Sequence, residues 1–175
     1  MEPKFVTKPA LMLVGMRYVG KNQHNEIGEM WGRFNPFIHQ LASQPIQATY
    51  GWCGMPEDPV EEGAFEYVAA VETTRADQLP DWAVVRMVPE STYAVFPHRG
   101  AHAGLMDTYH EIYQTWLPQS GYESAAPFDM EVYTDEFHDF APDSVMYIYL
   151  PVKKKEAETK ASSVSMHRGA AMHTD

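Results

Sequence analysis

The chain has 175 residues, and 13 Lys and Arg against 24 Asp and Glu give it a formal net charge of −11. That length suits one domain, or two small halves around a shared core. The negative charge repels phosphates, so direct nucleic-acid binding is not expected.

The charge is uneven. Residues 153–175 carry five basic and three acidic groups, net +2, which leaves 8 basic against 21 acidic and net −13 for residues 1–152. All four Trp, ten Tyr and eight Phe precede residue 153. No apolar run is long enough to span a bilayer. The opening Met1-Glu2-Pro3-Lys4 begins no signal-peptide pattern. The single cysteine, Cys53, offers neither an internal disulfide nor a zinc-ligand spacing. A cytoplasmic protein with no cofactor, metal or membrane contact is expected.

In chain order, Leu11 to Tyr18 reads as a strand ending near Gly20. Glu26 to Leu41 reads as an amphipathic helix, with Ile27, Met30 or Trp31, Phe34, Ile38 and Leu41 at spacings of three and four. It stops before Pro45. Ile46 to Cys53 and Phe65 to Thr73 read as strands around an acidic loop with two prolines. Val84 to Val88 and Thr92 to Pro97 are extended. Gly104 to Leu117 is helical, with Leu105, Tyr109, Ile112 and Trp116 on one stripe, closed by Pro118 and Gly121. Met130 to Thr134 and Val145 to Val152 are two further strands. Residues 153–175 lack aromatics and read as a disordered tail.

The order strand, helix, strand, strand thus occurs twice, over halves of about 4–75 and 82–152 within a domain of residues 1–152. Two helices are too few to cover a doubly wound parallel sheet. The expected class is α+β with mainly antiparallel strands. A duplicated module of this kind places a cleft between its halves, and clefts hold ligands.

The second half also carries a set of recognisable words. Tyr93-Ala94-Val95-Phe96-Pro97-His98-Arg99-Gly100 precedes its helix, Trp116-Leu117-Pro118-Gln119-Ser120-Gly121-Tyr122 closes it, and Met130-Glu131-Val132-Tyr133 and Tyr147-Ile148-Tyr149-Leu150-Pro151-Val152 follow. Glu29-Met30-Trp31-Gly32-Arg33-Phe34 and Tyr50-Gly51 fit the same pattern in the first half. Their order and spacing resemble the GyrI-like small-molecule-binding family, whose members also serve as effector-binding domains of bacterial AraC-type and MerR-type regulators. The resemblance covers residues 4–152. It implies two strand-helix-strand-strand modules about a pseudo-twofold axis and a central pocket for hydrophobic, often cationic, molecules. It also implies a glutamate at the pocket floor, which by position is Glu131. No room for an additional DNA-binding domain is expected.

Strand alternation puts Glu131 and Tyr133 on one face and Met130 and Val132 on the other. The Met130 and Val132 face suits packing against helices, which leaves Glu131 facing cleft or solvent. Tyr50 and Trp52 share a strand face, as do Phe65 and Tyr67, and Tyr147 and Tyr149. Aromatic walls attract a cation through their π faces, by about 0.5–2 kcal/mol per contact. Tyr50, Trp52, Tyr67, Tyr133 and Tyr149 are therefore candidate ligand-binding residues beside Glu131, with core packing the other reading of each. Trp31, Phe34, Tyr109 and Trp116, on helical stripes, read as core. His98 and His102 are four apart, but Gly100 lies between them and His98 precedes the helix, so no helical metal pair is expected.

Three functions fit. The first is binding of hydrophobic, cationic small molecules in an aromatic cleft with Glu131 as counter-charge, for sequestration or sensing. The second follows from family members that resemble hydrolases opening strained cyclopropane rings of DNA-alkylating natural products, with Glu131 as the catalytic residue positioning water; no second acid is identifiable. The third is contact with a protein partner, such as a regulator or DNA gyrase, through acidic surface.

Overall fold

Two links of two residues each set the shape of the molecule. This computed structural model describes residues 1–58 and 60–156. Strands β1 (Lys4–Lys8), β2 (Leu11–Gly20), β3 (Thr49–Gly54), β4 (Phe65–Glu72), β5 (Ala83–Val88), β6 (Ser91–Arg99), β8 (Phe128–Tyr133) and β9 (Val145–Lys154) lie in the order β1-β6-β9-β8-β3-β4-β2-β5, and β7 (Tyr122–Ser124) pairs with β9. Every pairing is antiparallel. The Pro9-Ala10 link joins β1 to β2, and the Pro89-Glu90 link joins β5 to β6, strands from opposite ends of that order. Such a link spans roughly 10 Å, so the sheet must curl until its ends approach.

The curl gives the sheet unlike faces. Its inner face gathers Leu13, Val68, Ala70, Val88, Tyr93, Val95, Met130 and Val132 with no helical residue. Both helices pack on the outer face. Met30 and Phe34 rest on Val14, Tyr67, Ala69 and Val71. Leu105 and Ile112 rest on Ala94, Phe96, Met146, Ile148 and Leu150. Each of these large side chains contributes about 1.5–3 kcal/mol on burial. The expectation that Met130 and Val132 face helices is therefore corrected. They line the inside of the curl, and Glu131 lies on the helix-covered face.

The class is α+β with a mainly antiparallel sheet, as the sequence predicts. Prolines divide both helices. The first runs as α1 (Glu26–Phe34), a tight turn over Asn35–Phe37 and α2 (Ile38–Leu41), because Pro36 has no N–H for the preceding turn. The second runs as α3 (Leu105–His110), a widened π turn over Glu111–Trp116 and α4 (Leu117–Gln119). Pro118 does not end this helix. The wide turn just ahead accommodates its ring, and the chain leaves at Gly121, whose φ of 78° suits glycine.

Two strands escaped the sequence reading. β1 is short, with lysine at both ends, a guarded edge strand rather than an apolar run. β7 has three residues. Strand β9 continues through Lys153 and Lys154, and the Lys155 N–H donates to the Gly121 carbonyl at 2.9 Å. The reading of a tail from residue 153 is corrected there: pairing with β7 satisfies that backbone. Residues 157–175 lie outside the described residues. His98, in β6, is buried, with its ring nitrogens 2.8 Å from the Thr108 hydroxyl and 2.9 Å from the Ala101 carbonyl oxygen. Among the described residues no helix is long and apolar enough to cross a membrane.

Candidate functional site: a buried glutamate between two helices

Glu131 sits on β8, in the middle of the sheet order, where the outer face lies between α1 and α3. It is 6% exposed. Three phenols donate to its carboxylate. Tyr67 and Tyr133 reach Oε1 and Tyr109 reaches Oε2, each at 2.8 Å. The Trp31 Nε1–H donates to the Tyr67 hydroxyl at 3.0 Å, so the tyrosine relays a second hydrogen bond. Burial, then the Glu131 charge, holds all three phenols well above their ordinary pKa. They remain protonated donors.

Each partner comes from a different element. Tyr133 is two residues along the strand and shares the face by alternation. Tyr109 descends from α3. Tyr67 is on β4, and β3 lies between it and β8. Its ring crosses β3 over Gly51, the residue paired with Glu131, and a methyl group there would overlap the Tyr67 hydroxyl. Trp31 covers the group, its ring centroid 5.7 Å from Tyr133 and 6.5 Å from Tyr67, edge to face.

No basic side chain among the described residues bonds to Glu131. The other buried glutamate, Glu66 at 3% exposure, differs in this respect: it pairs with both Arg17 and Arg86. Burial would raise the Glu66 carboxyl, but the hydrogen bonds and charges of the two arginines together hold it below its ordinary value. Among the described residues Glu131 has hydrogen-bond donors but no counter-charge. A buried carboxylate in that state presents an unmatched negative potential to any cation that reaches it.

A second acid that the sequence did not reveal lies beside it. Asp129 is two residues earlier on the same face; Tyr113 donates to its Oδ2, and its Oδ1 is buried with no partner among the described residues. Burial, with the Glu131 charge adding to it, raises the Asp129 carboxyl to about 6 against the pull of the Tyr113 hydrogen bond. Cys53 stands opposite Asp129 on β3. Burial pushes its thiol well up, with the charges of Asp129 and Glu131 adding, so it is a poor nucleophile.

The six candidate residues do not gather in one place. Glu131, Tyr67 and Tyr133 meet on the outer face. Tyr50, Trp52 and Tyr149 belong to the inner one. The Arg86 guanidinium already lies over the Trp52 ring, 5.2 Å from its centroid. Trp31 and Tyr109, read as core from their helical stripes, do pack against the helix-side clusters, and they also form the upper half of the group around Glu131. A stripe tells which side of a helix is covered, not whether a carboxylate lies beneath.

The two helices thus enclose a buried acid ringed by aromatic donors on the outer face of a curled antiparallel sheet. The chain belongs to the family described as GyrI-like small molecule binding domain, whose profile matches residues 1–153. The transcriptional regulator BrlR of Pseudomonas aeruginosa is 32% identical over 154 residues, which are 87% of this chain and 56% of the regulator. The chain thus spans little more than half the length of that curated relative. The structure of SAV2435 bound to tetraphenylphosphonium has the same fold, with a TM-score of 0.69 at 20% identity, over 87% of this chain and 94% of the other. The C-terminal domain of EcmrR gives a TM-score of 0.66 at 14% identity, over 88% of this chain and 98% of that one.

Proposed function

We propose that this domain binds hydrophobic organic cations at Glu131, for sequestration or for sensing. One observation carries the reading: a buried carboxylate that accepts three hydrogen bonds and has no basic partner among the described residues. A cation bound there gains Coulomb attraction in a medium of low dielectric. Aromatic rings of Trp31, Tyr67, Tyr109 and Tyr133 supply walls of the matching polarity. SAV2435, which shares the fold, was solved bound to tetraphenylphosphonium, and that ligand supports the reading. Glu131 is buried, and Trp31 packs over the phenols that surround it. Entry requires that indole, with α1 behind it, to swing outward, breaking the bond to Tyr67. Tryptophan fluorescence therefore reports binding. Titration with tetraphenylphosphonium tests the reading: Glu131→Gln abolishes the response while circular dichroism stays unchanged. Undiminished affinity in that variant overturns it.

A second reading is hydrolysis of a strained ring, and the Asp129–Glu131 pair favours it. A carboxyl near 6 can hold a proton for a leaving carbon while the neighbouring carboxylate positions water. Incubation with a cyclopropane-bearing alkylating agent, followed by mass spectrometry, distinguishes the readings. A water adduct forming no faster than without protein removes this one.

A further inference from the structure

The cavity on the inner face of the curl belongs to none of the chemistry above. It measures about 1030 Å³ and opens beside the Pro9-Ala10 link, against the residues that lead out of α2. Its walls include the rings of Tyr50, Tyr93 and Tyr149 with Met130 and Val132 between them. The Tyr93 and Tyr149 centroids are 5.5 Å apart and tilted by 59°. Tyr93 is 1% exposed, and its hydroxyl is buried with no hydrogen-bond partner among the described residues. Ser91, two residues back on the same face, lies near enough to offset part of the burial that raises the Tyr93 phenol, but it donates its own proton to the Pro89 carbonyl at 3.0 Å.

An unpaired phenol is costly inside a protein, because its bonds to water are lost and nothing replaces them. The mouth above it is acidic. Glu72, Asp135 and Glu136 line it against a single lysine, Lys8. Glu136 accepts from the Tyr147 hydroxyl, whereas Glu72 makes no ion pair among the described residues. Burial and then the Glu72 charge raise the Tyr50 phenol to about 12, with Tyr149 and Tyr93 adding. These four groups thus share one field, well separated from Glu131 by the thickness of the sheet.

We propose that this inner cavity is a second, separate ligand site, for a planar aromatic compound carrying a protonated amine. The ring lies among the three tyrosines, whose side chains part to admit it so that a polar edge reaches the otherwise covered Tyr93 hydroxyl, and the ammonium faces Glu72 at the mouth. Offset stacking on tyrosine favours a flat ligand here. Rings set edge to face surround Glu131 instead.

Protonated 9-aminoacridine is a suitable probe, titrated into the full chain by calorimetry. Wild-type protein binds two equivalents. Glu131→Gln loses one and keeps the other. In the Glu131→Gln background, Glu72→Gln and Tyr93→Phe each weaken the remaining site about three- to tenfold, the worth of one hydrogen bond or screened charge. Tyr93→Phe leaves thermal stability unchanged or raised, because it deletes an unpaired hydroxyl. A structural role for that hydroxyl would lower stability. Binding that vanishes entirely in Glu131→Gln overturns the inner site, as does a remaining site indifferent to both further substitutions. Binding indifferent to Glu131→Gln yet weakened by Glu72→Gln overturns the reading of Glu131 and leaves the inner site standing.

Discussion

The Tyr67 hydroxyl reaches Glu131 Oε1 at 2.8 Å by passing over Gly51 on the strand between them. A donor on β4 thereby serves an acceptor on β8, two strands away. The arrangement joins the two halves of the chain through a buried charge, and it depends on the absence of one side chain.

Gly51→Ala therefore acts as an overpacking mutation and as a mutation of the site. The added methyl pushes the phenol off the carboxylate, with a loss of about 1–3 kcal/mol in urea unfolding. It also frees the Trp31 indole, whose partner is the same hydroxyl. Its fluorescence emission shifts to the red before unfolding begins. An unshifted spectrum with unchanged stability contradicts the role given to Gly51.

Tyr109→Phe and Tyr133→Phe each remove one donor from the carboxylate and leave the ring in place. Each costs about 1.5–3 kcal/mol, the range for hydrogen bonds to a charged group. In a Glu131→Gln background the same substitutions cost less, since the amide needs fewer donors. Equal costs in the two backgrounds, measured as a double-mutant cycle, would mean that the phenols stabilise the helices rather than the carboxylate.

Asp129 makes stability depend on pH in a definite direction. Its folded pKa is raised from 3.8 to about 6. The folded chain therefore holds this proton more tightly than the unfolded chain does. The stability so gained is fully present below about pH 4 and is lost as pH rises through about 6. Glu66 acts oppositely: its folded pKa is lowered, so its contribution is present at neutral pH and is lost as pH falls through that depressed value. Asp129→Asn removes the decline between pH 4 and 6 and leaves the acid limb intact. Urea midpoints across that range read the difference, and a wild-type midpoint rising with pH through this window is the contrary result.

The legible part of the candidate site was its strand. Alternation placed Tyr133 with Glu131, and placed Met130 and Val132 opposite. It did not say which of those faces the helices would cover, because a period of two distinguishes sides without naming them. Asp129 escaped for a plainer reason. Its importance rests on burial and on an unpaired oxygen, and neither has a sequence signature.

By itself, the sequence determined the α+β class, the two helices, most strands and the concentration of aromatic residues before residue 153. Those follow from local periodicity and composition, which are written along the chain. The tertiary structure decided the sorting of the aromatics. Two-residue links between opposite ends of the sheet order force it to curl, and the curl assigns Tyr50, Trp52 and Tyr149 to the inside and Tyr67 and Tyr133 to the outside. Docking of α1 and α3 on that outer face then brings Trp31 and Tyr109 over Glu131. The groups around this carboxylate come from four separate elements, and only folding brings those elements together.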